Sequence, residues 1–195
     1  MYQEFFGLRE MPFNITPDPR FLFLADNHRD AMESVVYGIL ERKGFIQLVG
    51  EVGCGKTTLC RAVLRRIAGQ TQTALILNPT ISATDLLRAI LTDLGCTPCK
   101  SQRLALIEQL NAFLLDRAAQ GINVAVIIDE AQTLSPTLME HVRLLSNLET
   151  DQHKLMQIVL AGQPELDRRL AEPGLRQLRQ RSEEHTSELQ SRQSI

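Results

Sequence analysis

The stretch Gly44–Thr58, GFIQLVGEVGCGKTT, constrains this chain more than any other. A short apolar run breaks into a glycine-rich turn, and Gly50, Gly55, Lys56 and Thr57 fit the spacing G-x-x-x-x-G-K-T of a phosphate-binding loop. Glycines at Gly50, Gly53 and Gly55 are expected to take backbone angles that side chains forbid, so that successive N–H groups, Cys54 included, turn inward around an anion. A helix opening near Lys56 adds its positive end. Lys56 carries a full charge to the β- and γ-phosphates of a nucleotide, Thr57 offers a hydroxyl to Mg²⁺, and Thr58 reaches toward the α-phosphate. The strand before and helix after that this motif requires are both present in the pattern.

A second signal lies downstream. Val124–Ile128 is an apolar strand that ends in Asp129-Glu130. In open parallel sheets, ligands sit at the carboxyl ends of strands. Asp129 there would hold Mg²⁺ or its hydration shell, and Glu130 would orient and deprotonate the attacking water. Gln163 follows another apolar run, Leu155–Gly162. It either reaches the γ-phosphate or the attacking water, or is a polar start to the turn before Pro164. Gln132, in DEAQ, is a weaker candidate for the same task.

Between these signals, apolar strands alternate with amphipathic helices. Helices are expected over Asn27–Lys43 (capped by Asp26 or Asn27, with Ala31, Val35, Ile39 and Leu40 as its apolar face), Lys56–Ala68, Ser82 or Thr84 to Leu94, Arg103–Gln120 and Pro136–Glu149. A short helix opens at Pro164. Strands are expected over Phe45–Val49, Thr73–Leu77, Val124–Ile128 and Leu155–Leu160. This alternation predicts an α/β fold with a covered parallel sheet in three α/β/α layers. Ahead of it lies an arm, residues 1–26, with Pro12, Pro17 and Pro19 and five of the seven phenylalanines. It reads as an extended segment pinned to the core by aromatics, part of which can pack near the base of a nucleotide.

Lys+Arg 21 against Asp+Glu 23 leaves a net charge of -2, so no global basic excess points to nucleic acid. Four cysteines show no disulfide framework, and the lone C-x-x-C at Cys96–Cys99 lacks further ligands for zinc. No run approaches the ~18 apolar residues of a membrane span, and no signal-peptide pattern opens the chain. A soluble, cytoplasmic fragment without direct membrane contact is expected.

GEVGCGKTT, then VIIDEAQ, IVLAGQPEL and LRQLRQR, together resemble an AAA+ P-loop ATPase. The arm YQEFFGLREMPFNITPDPRFLFL narrows this: residues 2–180 resemble the ExeA (GspA) family of general secretion pathway ATPases and the related MshM proteins of pilus biogenesis. The resemblance implies an ATP- and Mg²⁺-dependent module, oligomeric, in a longer protein anchored in the bacterial inner membrane. With an ExeB-like partner it helps assemble a type II secretion secretin or a pilus. It implies Lys56 and Thr57 as phosphate and Mg²⁺ residues, Asp129 and Glu130 as metal and catalytic acids, and Gln163 as a sensor-like position. Arg176, Arg179 and Arg181 lie where an arginine finger for the next subunit can originate. A DNA-associated AAA+ regulator of the transposition type is the alternative. By this reading, residues 1–43 form the arm and first helix, and 44–180 an incomplete ATPase core. Residues 181–195, where RSEEHTSELQS resembles a frame of a sequencing adapter, form a non-native tail. The last core strand and the lid are then expected to be missing.

Overall fold

The computed structural model describes residues 2–7, 25–98, 102–149, 154–172 and 186–189. The elements in chain order are α1 (Tyr2–Phe5), α2 (Asp26–Leu40), β1 (Phe45–Gly50), α3 (Lys56–Ile67), β2 (Thr71–Ile76), α4 (Ala83–Asp93), α5 (Arg103–Ala119), β3 (Asn123–Ile128), a 3-10 turn (Ala131–Thr133), α6 (Pro136–Leu145), β4 (Gln157–Gly162), α7 (Pro164–Leu170) and β5 (Thr186–Leu189).

The strands form one sheet in the order β2-β3-β4-β1-β5, and every pairing is parallel. Parallel strands need crossovers, and the helices that make them cover both faces. The pleat shows which side chains go where. Val124, Val126 and Ile128 of β3 face a core completed by α4, α5, α6 and α7. Ala125 and Ile127, from the same strand, face α2 and α3 together with Ile46, Leu48, Val159 and Ala161. A strand buried on both sides has no polar alternation, which is why β1, β3 and β4 read as nearly continuous apolar runs. The three-layer α/β/α expectation holds.

Several local expectations are corrected. Neither Asp26 nor Asn27 caps α2: the N-cap position is Ala25, without a side-chain bond. Leu40 is exposed at the helix end, while Val36 and Gly38 join the buried face, because the apolar stripe turns with the helical period. Ser82 does cap α4, accepting from the Asp85 N–H at 3.2 Å. In the arm, Phe5 and Phe6 are exposed and stack edge-to-face on one another. Phe13, Phe21 and Phe23 lie outside the described residues, as do the three arm prolines and Cys99.

The edge of the sheet departs from expectation more plainly. The tail was expected to carry no strand and to leave the sheet without its last member. Thr186–Leu189 nonetheless runs parallel to β1, with Gln47 level with Thr186 and Gly50 with Leu189. The physical reason is that β1 would otherwise be an edge with a row of unpaired N–H and C=O groups, and backbone pairing needs no apolar pattern.

Candidate nucleotide site

The chain visits β1, crosses to the far edge at β2, and returns through β3 and β4 to lie beside β1 again. The carboxyl ends of β1, β4 and β3 are therefore neighbours, at the reversal of strand order where open α/β sheets hold ligands. The predicted residues hang from these three ends: Gly50–Thr58 after β1, Asp129-Glu130 after β3, and Gln163 after β4.

Two of the three loop glycines behave as expected. Gly53 and Gly55 lie in the left-handed region, at φ 78° and φ 89°. Gly50 does not: it is the last residue of β1 and is not among the positive-φ residues, so it ends the strand rather than forming the turn. Gly55 is the N-cap of α3 and brings no capping side chain, so the first-turn N–H groups of Lys56, Thr57 and Thr58 are left for an anion. The first helical bond here runs from Leu59 N to Gly55 O, at 2.9 Å.

Lys56 is 6% exposed, which for a lysine demands partners. Its Nζ donates to the carbonyls of Gly50 and Glu51, at 2.8 and 2.9 Å. The ammonium is thus folded into its own loop, and neutral carbonyls hold it where phosphate oxygens would bind it more strongly. Half-buried Cys54 lies inside the same loop, its Sγ 3.9 Å from Nζ. Behind the loop, His28 of α2 donates from Nε2 to the Cys54 carbonyl at 2.9 Å. This residue was not singled out for the site; only its spacing before the first strand hints at it.

Of the two acids, Asp129 meets the loop. The Thr57 hydroxyl donates to Asp129 Oδ2 across 72 residues of sequence. Asp129 is 2% exposed, and its Oδ1 accepts the Glu130 N–H at 2.9 Å. A hydroxyl and a carboxylate joined this way form an all-oxygen pair suited to Mg²⁺, which takes one or two carboxylates and keeps several waters. Beneath them Cys60 is buried, and burial pushes its thiol pKa up, with the nearby Asp129 charge adding to the rise. It is a packing residue.

Glu130 is half-buried and sits at φ 52°, ψ 35°, in the small left-handed region that few non-glycine residues occupy. Its Oε2 accepts from Gln132 Nε2 at 2.6 Å. Gln163 is the N-cap of α7, and its backbone N–H donates to Gln132 Oε1 at 3.1 Å. Arg169 of α7 donates to the Gln132 carbonyl. Gln132 therefore faces Glu130 and the tip of β4, a placement that sequence spacing did not indicate. The finger candidates Arg176, Arg179 and Arg181 lie outside the described residues.

A model of the AAA domain family matches residues 39–170, which spans β1 through α7 and includes the phosphate loop, Asp129-Glu130, Gln132 and Gln163. This chain belongs to the AAA domain family. The AAA chain is also 45% identical over 182 residues to General secretion pathway protein A of Aeromonas hydrophila. That match covers 93% of this chain and 33% of the relative, so the AAA chain spans about a third of its relative's length. Among solved structures, the ORC2 protein of Aeropyrum pernix in ADPNP–ADP complexes superposes with a TM-score of 0.71 at 19% identity, covering 91% of this chain and 50% of that one. Cdc6p of Pyrobaculum aerophilum gives 0.64 at 14% identity, covering 92% and 48%. At such identities these two structures speak for the fold alone. The secretion relative makes the AAA chain GspA-like, in line with its resemblance in sequence. No helix among the described residues is long and apolar enough to cross a membrane.

Proposed function

We propose that this chain binds and hydrolyses Mg²⁺·ATP, and that the cycle powers or regulates assembly of a bacterial envelope machine, a type II secretion secretin or a pilus. The observation that carries the enzymatic part is the bond of Thr57, beside Lys56 after β1, to Asp129, beside Glu130 after β3, across the carboxyl end of the sheet. Lys56 exchanges its two carbonyl partners for β- and γ-phosphate oxygens. Thr57 and Asp129 would hold Mg²⁺, which would supply charge neutralisation at the phosphates. Glu130 takes a proton from the attacking water as the γ-phosphoryl leaves. Gln163 serves as a sensor at the β4 tip. An arginine among Arg176, Arg179 and Arg181 completes the site of the next subunit in a homo-oligomer. The envelope role rests on the 45% identity to the secretion protein. On this proposal the module lies on the cytoplasmic side of a longer inner-membrane protein and works with an ExeB-like partner.

The test is a pair of substitutions. Lys56→Ala is expected to abolish nucleotide binding. Glu130→Gln keeps binding and lowers turnover by about 10²–10⁴-fold, the span that general-base catalysis contributes. Normal hydrolysis by Glu130→Gln would show that the base lies elsewhere.

A further inference from the structure

The peptide chain makes a tight departure after β3. Glu130 adopts a left-handed backbone, and the 3-10 turn Ala131–Thr133 follows at once. A non-glycine residue in that conformation costs about 1–2 kcal/mol, so something must hold it there. The contacts around Gln132 do so. Its amide nitrogen donates to Glu130 Oε2, its amide oxygen accepts from the Gln163 N–H, and its carbonyl accepts from Arg169. The amide has only one sensible orientation. With oxygen toward Glu130, it would set two acceptors against each other and turn its donors on the Gln163 N–H. Gly162 leaves room for this: a Cβ there would stand 2.9 Å from Gln132 Oε1 and 2.9 Å from Leu166 Cδ2.

We infer that Gln132 is a positioning residue for hydrolysis, a side-chain bridge that fixes the Glu130 carboxylate to the carboxyl end of β4. The inference rests on the reading of Glu130 as the general base. Gln132 engages Oε2, so the water proton is taken at Oε1. The bridge has a consequence for sensing. A shift of Gln163 or of α7 reaches Glu130 through one side chain, without passing through Asp129 or the phosphate loop. The hydrogen bonds of Gln132 run to Glu130, Gln163 and Arg169 and none to the phosphate loop, so its loss is expected to affect the chemical step and spare binding.

Gln132→Glu isolates this bond. The substituted carboxylate has the same shape and still accepts the Gln163 N–H, but it cannot donate to Glu130 and sets a like charge against it. The measurement is steady-state ATP hydrolysis by the full chain at saturating Mg²⁺, beside the Kd of a fluorescent ATP analogue and a melting curve to confirm folding. The expected result is a kcat lower by at least about tenfold, with Kd within about twofold of the parent. Gly162→Ala, which removes no polar group but drives a methyl into the Gln132 amide, gives the same split in smaller measure. A Gln132→Glu variant with kcat within about twofold of the parent overturns the inference. So does one in which kcat and Kd deteriorate together. Glu130→Gln in the same assay separates the two claims. If it turns over normally, the base assignment fails; if it is inactive while Gln132→Glu is not, only the bridge fails.

Discussion

Gly55→Ala is a substitution whose cost comes almost wholly from the backbone. Gly55 lies at φ 89°, ψ 18°. A Cβ built there meets only His28 Nε2, at 3.8 Å, which is ordinary van der Waals contact. No clash enters, and the left-handed conformation alone costs about 1–2 kcal/mol for alanine. That cost can appear in two places. If the surrounding fold holds the loop in shape, the native state is strained, and Tm falls by about 2–4 °C per kcal/mol for a chain of this size, or roughly 2–8 °C in all. If the loop relaxes in the free protein, the fold is spared. Nucleotide must then restore the cradle on binding, and Kd rises by about 5–30-fold, the equilibrium equivalent of the same energy. Thermal unfolding without nucleotide and equilibrium binding of ATP, measured on one preparation, capture both. Their losses, expressed as free energies, should together reach about 1–2 kcal/mol. A combined loss below about 0.5 kcal/mol, the usual size of a neutral surface change, would refute the reasoning: the loop would then accept a side chain, and glycine at 55 would not be conformational in purpose.

Two further outcomes are expected. Cys54 should alkylate in the free protein and be protected by ATP, while Cys60, buried and with its thiol pKa raised, stays unmodified; peptide mass spectrometry distinguishes them. His141 accepts from Arg103 Nη2 at 3.0 Å, and partial burial, then the Arg103 charge, hold its pKa below the ordinary histidine value. The unfolded chain therefore binds the proton more readily. Stability is full above the ordinary histidine range and declines as the pH falls through it, toward the lower folded value. His141→Ala should flatten that part of a Tm-against-pH curve.

Where chemistry is concentrated in a short run, the sequence was legible. Lys56 and Thr57 sit in a contiguous motif, and Asp129-Glu130 ends a run so apolar that only a strand buried on both faces accommodates it. The pairing of Thr57 with Asp129 followed from chemistry, since a metal-binding hydroxyl needs a carboxylate nearby. The errors arose where tertiary context overrides a local pattern. Gly50 resembles its neighbours in the loop, but pairing with Leu189 of β5 keeps it extended at the end of β1. The strand of Thr186–Leu189 has no apolar signature, because the vacant edge of β1 rather than its own side chains recruits it. Phe5 and Phe6 read as anchors from composition, yet both face solvent.

The Gln132 bridge shows a different limit, one of register. Which residues meet across two parallel strands depends on an offset that neither strand's sequence displays. Here Ile128 is level with Leu160. Continuing that register two residues beyond the strand end sets Glu130 level with Gly162, where the absent side chain lets the Gln132 amide come down onto β4. A slip of one residue would bring Ala161 or Gln163 to that place, and a Cβ would occupy the space the amide now uses. The residue types in DEAQ and AGQPEL were visible from the start, but their relation was not. It required the order of β3 and β4 in the sheet, the offset between them, and a glycine at one position. Glu130, the proposed general base, is thus held by a contact that neither motif contains alone, so a substitution in AGQPEL can disturb a glutamate more than 30 residues away in sequence without touching it.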